Sequence, residues 1–178
     1  MTDRKTQILK RLTDEGIKAA EFLRRLGPEA WEQQVYTTGG HWRVREVLCH
    51  FVSAEKTLTY YGRQILAGGP GAPEDFVIDE FNETQVGGMA DREPQGLIGE
   101  FEEARAETGR LVETMLDGDF DRVGRHPWFG KVPLETMLKL VYRHNMLHIR
   151  DVKKALETGQ PVPHLDAQPP SDEEGRRK

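Results

Sequence analysis

Apolar residues recur at intervals of three and four along four long stretches of this chain, and that periodicity restricts the folds open to it. In "RKTQILKRLTDEGIKAAEFLRRL", Ile8, Leu9, Leu12, Ile17, Ala20 and Leu23 approximate one stripe, which Gly27 and Pro28 end. After the turn-rich "YTTGG", the segment "HWRVREVLCHFVSAEKTLTYYGRQILAG" keeps Val44, Val47, Leu48, Phe51, Leu58 and Ile65 at helical spacing as far as Gly68, Gly69 and Pro70. A third stretch, "PQGLIGEFEEARAETGRLVETMLDG", places Leu97, Phe101, Ala104, Leu111, Met115 and Leu116 on one side, with Gly99 and Gly109 lowering its propensity. The fourth, "LETMLKLVYRHNMLHIRDVKKALETG", is closed by Gly159 and Pro161.

Each stripe needs a partner surface, so the expected fold is all-α, an antiparallel four-helix bundle. "GGPGAPEDF" cannot continue a helix, and "VIDEFNETQVGG" reads as a short helical or irregular piece, so a long crossover joins helices two and three. "DFDRVGRHPWFGKVP" has no clear period and reads as a loop, and no region is rich in strands. The expected domain is residues 1–160. Residues 161–178, polar and Pro-rich, read as a disordered C-terminal tail.

Charge narrows the function classes. Lys plus Arg number 25 against 30 Asp plus Glu, a formal net charge of -5 with both signs interspersed, which argues against nucleic-acid binding. No window approaches the roughly 18 apolar residues of a membrane span, and "MTDRKTQILK" is charged where a signal peptide is apolar. Cys49 is the single cysteine, so no intrachain disulfide forms. A cytoplasmic protein is expected.

The chemistry is concentrated in "RHNMLHIRD". At about 100° per residue, His148 falls within the apolar sector that Met137, Leu138, Val141, Val152, Ala155 and Leu156 define, with His144 at its margin one turn away. His50, in "VLCHFVSAE", projects from the flank of the second helix's apolar face near Val47 and Ala54. Three imidazoles from two helices suffice to hold a divalent cation with open positions. They can equally be buried neutral histidines, hydrogen-bonded to backbone or to carboxylates such as Glu55 and Asp151.

"HWRVREVLCHFVSAE" and "RHNMLHIRDV", in that order, resemble the DinB superfamily of metal-binding four-helix bundles, with its YfiT-like and mycothiol-dependent maleylpyruvate isomerase branches. The resemblance covers roughly residues 5 to 158, and "DEFNETQV" is similar to the region after the second helix in the isomerase branch. It implies His50, His144 and His148 as metal ligands, and a low-molecular-weight thiol as the species the metal activates. No counterpart of the isomerases' additional C-terminal domain is expected after the fourth helix, and nothing in residues 1–178 identifies a thiol site. Neutral nitrogen ligands suit a divalent transition metal, zinc or nickel, better than calcium or magnesium.

Around this triad, Glu55 and Asp151 are candidates to orient the imidazoles; alternatively Glu55 pairs with an Arg or Tyr inside the bundle and Asp151 with Lys154. His126, Trp128 and Phe129 form a candidate pocket loop. Cys49 faces away from His50, and His41 and His164 read as surface residues. Leu140 and Leu147 offer an apolar edge for a homodimer. No catalytic residue is assigned. The expected function is a metal-dependent transferase or isomerase in which a thiol, or water, attacks a small electrophile. The alternatives are a non-catalytic metal-binding or stress-response scaffold and a metal-free protein-binding bundle.

Overall fold

The structure, a computed structural model, describes residues 3–164. Its helices are α1 (Asp3–Arg24), α2 (Pro28–Glu32), α3 (Val44–Leu66), α4 (Ile78–Gly87), α5 (Pro94–Thr114) and α6 (Leu134–Thr158). A 3-10 turn, Asp117–Asp121, and a two-stranded hairpin, β1 (Val123–His126) and β2 (Gly130–Pro133), fill the space before α6. The long helices α1, α3, α5 and α6 coincide with the four periodic stretches, and α4 is the helical piece of the crossover. Gly159 closes α6 in the left-handed conformation, φ 67°, its N–H donating to the Ala155 carbonyl at 2.9 Å.

Two expected stripe members stand outside the core: Ile17 is 52% and Leu116 76% exposed. The segment "DFDRVGRHPWFGKVP" is a hairpin with Val123 opposite Pro133 and His126 opposite Gly130, where a periodless loop was expected. Four-residue strands are too short to display an alternation, and Gly130, at φ 66°, supplies the positive φ of the turn. Residues 161–164, the first of the expected tail, are described and run alongside the segment before α3. Val162 is buried, its N–H donating to the Val35 carbonyl at 2.8 Å, and Thr37 N–H donates to the Val162 carbonyl at 3.0 Å. Residues 165–178, the remainder of the expected tail, lie outside the described residues.

Side-chain contacts fix the topology. Arg4 pairs with Asp117 just beyond the end of α5, and Arg24 with Glu102 near its start, so α1 and α5 are antiparallel. Lys56 meets Glu100 and Arg63 meets Glu107, which makes α3 and α5 parallel. α6 runs parallel to α1, as Arg4 to Glu135 and Lys153 over Phe22 show, and antiparallel to α3. The crossover causes this arrangement: it carries the chain back along the bundle so that α5 starts beside the start of α3. α1 packs on α5 and α6, and α3 on α4, α5 and α6.

A polar layer divides two apolar clusters. One gathers Leu23, Trp42, Phe51, Leu97, Phe101 and Val152; the other Ile8, Leu12, Ile65, Phe120, Leu134 and Met137. Between them Arg105 is buried and donates from Nε and Nη2 to the two Glu55 oxygens, both at 2.8 Å, and from Nη1 to the Leu12 carbonyl at 2.9 Å. Thr108 Oγ1 donates to Glu55 Oε1 at 2.6 Å. With its amide turned to donate to the Val141 carbonyl, Asn145 accepts from Arg105 at 3.2 Å. One guanidinium on α5 thereby ties α1, α3 and α6 together.

The crossover is stitched to the hairpin at Gly71. Arg125 N–H donates to the Pro70 carbonyl at 2.7 Å and Ala72 N–H to the Arg125 carbonyl at 2.9 Å, with Gly71 at φ 84° between them. A Cβ there would lie 2.6 Å from the Arg125 oxygen and 2.8 Å from its nitrogen. Gly71→Ala is therefore expected to cost about 1–3 kcal/mol, read as a lower thermal midpoint, with protease cleavage appearing first between α3 and α4.

Candidate metal centre

α3 and α6 cross so that His50, two turns into α3, faces His144 and His148 on successive turns of α6. His144 Nε2 lies 2.9 Å from His50 Nε2 and 2.8 Å from His148 Nε2. The three ligand atoms fall within 4.8 Å of one another. His50 is 5% and His148 1% exposed.

Hydrogen bonding alone does not account for this convergence. Each neutral imidazole nitrogen is either one donor or one acceptor, so His144 Nε2 cannot serve both neighbours well. Burial holds all three rings neutral: the His144 pKa falls to about 4, and those of His50 and His148 lie well below the usual value, pushed further by neighbouring imidazoles. Neutral imidazole is the form that binds a cation. Two ligand nitrogens about 2.0–2.1 Å from a metal stand roughly 2.9–3.4 Å apart for bond angles of 90–109°, and the 2.9 and 2.8 Å spacings about His144 Nε2 lie at the short end of that range. His50, His144 and His148 are thus the residues able to hold such an ion.

Tyr36 completes the surroundings of His148. Its hydroxyl lies 2.5 Å from His148 Nδ1 and donates to Asp151 Oδ2 at 3.4 Å. With Nε2 left for a metal, Nδ1 carries the proton and donates to the Tyr36 oxygen. Asp151 is thus one residue removed from the imidazole it was expected to orient, and it also pairs with Arg150 at 3.0 Å rather than with Lys154. Tyr36 comes from the irregular segment before α3, where periodicity carries no signal. Tyr36→Phe is expected to weaken metal affinity roughly 10- to 100-fold while leaving one metal per chain at saturation, measured by competition with a chromophoric chelator.

Glu55 does not reach the triad. Its carboxylate is saturated by Arg105 and Thr108, the internal pairing that an Arg in the α5 stripe could have signalled. Cys49 is buried against the Met89 carbonyl and its thiol pKa is pushed up to about 11 by burial, so it is not a nucleophile at neutral pH. His164, expected at the surface, stacks on Tyr36 with ring centres 4.3 Å apart and lies 5.4 Å from the His148 ring. His41 is exposed, at φ 50°.

The triad opens onto a cavity of about 330 Å³. The hairpin supplies His126, Trp128 and Phe129 to its wall, α4 and the residues before it supply Phe76 and Phe81, and α6 supplies Leu140 and Leu147. Leu140 and Leu147, the pair expected to form a homodimer edge, line this cavity. Arg143, Asp79 and Glu83 add charge at the lining. Among the described residues no helix is long and apolar enough to cross a membrane.

One family model aligns with residues 3–152, from the first turn of α1 to beyond the last of the three histidines. The chain belongs to the DinB superfamily. Among solved structures, this DinB-superfamily chain is similar to YfiT from Bacillus subtilis, described as a probable metal-dependent hydrolase with an unusual four-helix bundle topology. The two share 18% identity over 89% of this chain and 90% of that one, at a TM-score of 0.71. It is also similar to the mycothiol-dependent maleylpyruvate isomerase, at 13% identity and a TM-score of 0.71, over 85% of this chain and 63% of that one. At these identities the likeness establishes the fold. No curated protein matches the DinB-superfamily chain by sequence.

Proposed function

We propose that the protein is a metal-dependent enzyme, a transferase or isomerase, in which His50, His144 and His148 hold a divalent transition metal and a low-molecular-weight thiol attacks a small electrophile. The observation that carries this reading is the opening of the triad onto a cavity of about 330 Å³, within the range of small-molecule sites, where a purely structural centre would be closed. The bound ion would supply Lewis acidity, lowering the pKa of a thiol or of water so that the nucleophile forms at neutral pH.

The residues have separable tasks. The imidazoles, neutral by burial, bind without a competing proton; Tyr36 and Asp151 set the orientation of His148; the aromatic walls exclude water and admit an apolar substrate body. Zinc or nickel suits three neutral nitrogens. We place the reaction in the cytoplasm, where such thiols stay reduced.

The thiol reading draws support from the mycothiol-dependent neighbour, and a hydrolytic one from YfiT. Metal-loaded protein mixed with chlorodinitrobenzene and a panel of low-molecular-weight thiols separates them. The expected result is thioether formation that stops on chelation and in His50→Ala. Ester or amide hydrolysis without thiol would assign water as the nucleophile, and no turnover with either would leave a binding scaffold.

A further inference from the structure

His126 closes the cavity wall opposite the helices and is 8% exposed. The hairpin fixes its ring by an unusual device: the backbone N–H groups of Trp128 and Phe129 both donate to its Nδ1, at 3.0 and 3.3 Å. A nitrogen that accepts cannot carry the proton, so a neutral His126 has its proton on Nε2. Burial, reinforced by the nearby His144, lowers the His126 pKa to about 4 and keeps the ring neutral at pH 7. No protein group among the described residues takes the Nε2 proton. The Nε2 atom keeps access to the cavity, so its proton is offered to whatever occupies that space.

We infer that His126 is a substrate-binding residue whose Nε2–H, locked by the hairpin backbone, donates to a carbonyl or similar oxygen on a small aromatic ligand in the triad cavity. The aromatic part of that ligand class follows from the walls: Phe76, Phe81, Trp128 and Phe129 present ring faces and edges, with Phe76 and Phe81 5.1 Å apart. The donor is neutral, so it selects for an acceptor without demanding an anion. This inference names the electrophile's class and rests on the function proposed above, but it makes its own demand on His126, independent of any metal.

Two substitutions divide the residue's tasks. His126→Asn keeps an acceptor at the Nδ1 position for the two backbone N–H groups but is too short to place a donor where Nε2 stands, whereas His126→Gln keeps a donor at nearly the Nε2 position and has no acceptor at the Nδ1 position. Benzamide, with an acceptor, and chlorobenzene, without one, are titrated into full-length protein with and without zinc, and nitrogen-15 spectra report the imidazole tautomer. The expected result is an Nε2-protonated ring whose proton resonance shifts with benzamide. The benzamide dissociation constant should rise roughly five- to tenfold in His126→Asn and stay within about twofold in His126→Gln, while chlorobenzene binds all three proteins alike. Zinc content, measured in parallel, should not change. Equal weakening of both probes, unchanged benzamide binding in His126→Asn, an Nδ1-protonated ring, or no benzamide binding by the unsubstituted protein would each overturn the inference. None of those results bears on whether a thiol is the nucleophile.

Discussion

Alanine at any one of His50, His144 or His148 is expected to reduce metal content from near one equivalent per chain to background, by elemental analysis of untagged protein equilibrated with zinc or nickel. Three ligands are the minimum of an open catalytic site, and the two imidazoles left in each variant are expected to bind too weakly to survive desalting. The fold should persist, because each substitution removes a polar ring from beside Trp42 or Phe51 and leaves every member of both apolar clusters in place. The metal-free variants should retain helical circular dichroism and lose the added thermal stability that metal confers on the unsubstituted protein. Stoichiometric metal in any of the three folded variants would remove that residue from the ligand set.

The second large effect concerns stability. Arg105→Ala is expected to cost about 3–5 kcal/mol, because it leaves the Glu55 carboxylate charged, 2% exposed and without its cation. The measurement is the urea midpoint at unchanged slope. The paired replacement Glu55→Leu with Arg105→Met should recover most of that loss, since two apolar side chains of similar volume avoid the desolvation of both ions. If the double variant is no more stable than Arg105→Ala, the contacts to Leu12 and Asn145, rather than the charge pair, hold the layer. Metal content measured on the same variants shows how far the layer reaches, since Asn145, which accepts from Arg105, adjoins His144 in the same helix.

The four long helices could be read from the sequence because each buries one face, and a buried face writes itself as a period of 3.6 residues. The same logic placed His50, His144 and His148 on facing sides. It failed wherever position depends on a partner distant in sequence. Tyr36 lies in an irregular segment held by the Trp42 and Val162 backbones, with no period to show which way its ring points. His164 follows α6 in a polar stretch whose composition suggests disorder, yet Val162 anchors that stretch beside Tyr36. The hairpin that carries His126 has strands of four residues, shorter than any pattern needs. Glu55 was ambiguous because a carboxylate on an apolar face has two explanations. The deciding evidence, Arg105 at the same depth on α5, becomes visible only when the α3 and α5 stripes are aligned in parallel.

The packing of α3 against α6 has a kinetic consequence. His50 meets His144 across 94 residues of sequence, and Tyr36 meets His148 across 112. Contacts of such separation close late, after the entropy of a long loop has been overcome, and they slow folding relative to bundles built from neighbouring hairpins. α3 has no second helix bearing imidazoles until α6, the last element of the bundle, has docked. A chain still emerging from the ribosome therefore cannot sequester metal with this triad. Metal uptake would report that the whole bundle is assembled, so the rate at which refolding protein acquires zinc should follow the slowest folding phase and none of the earlier ones.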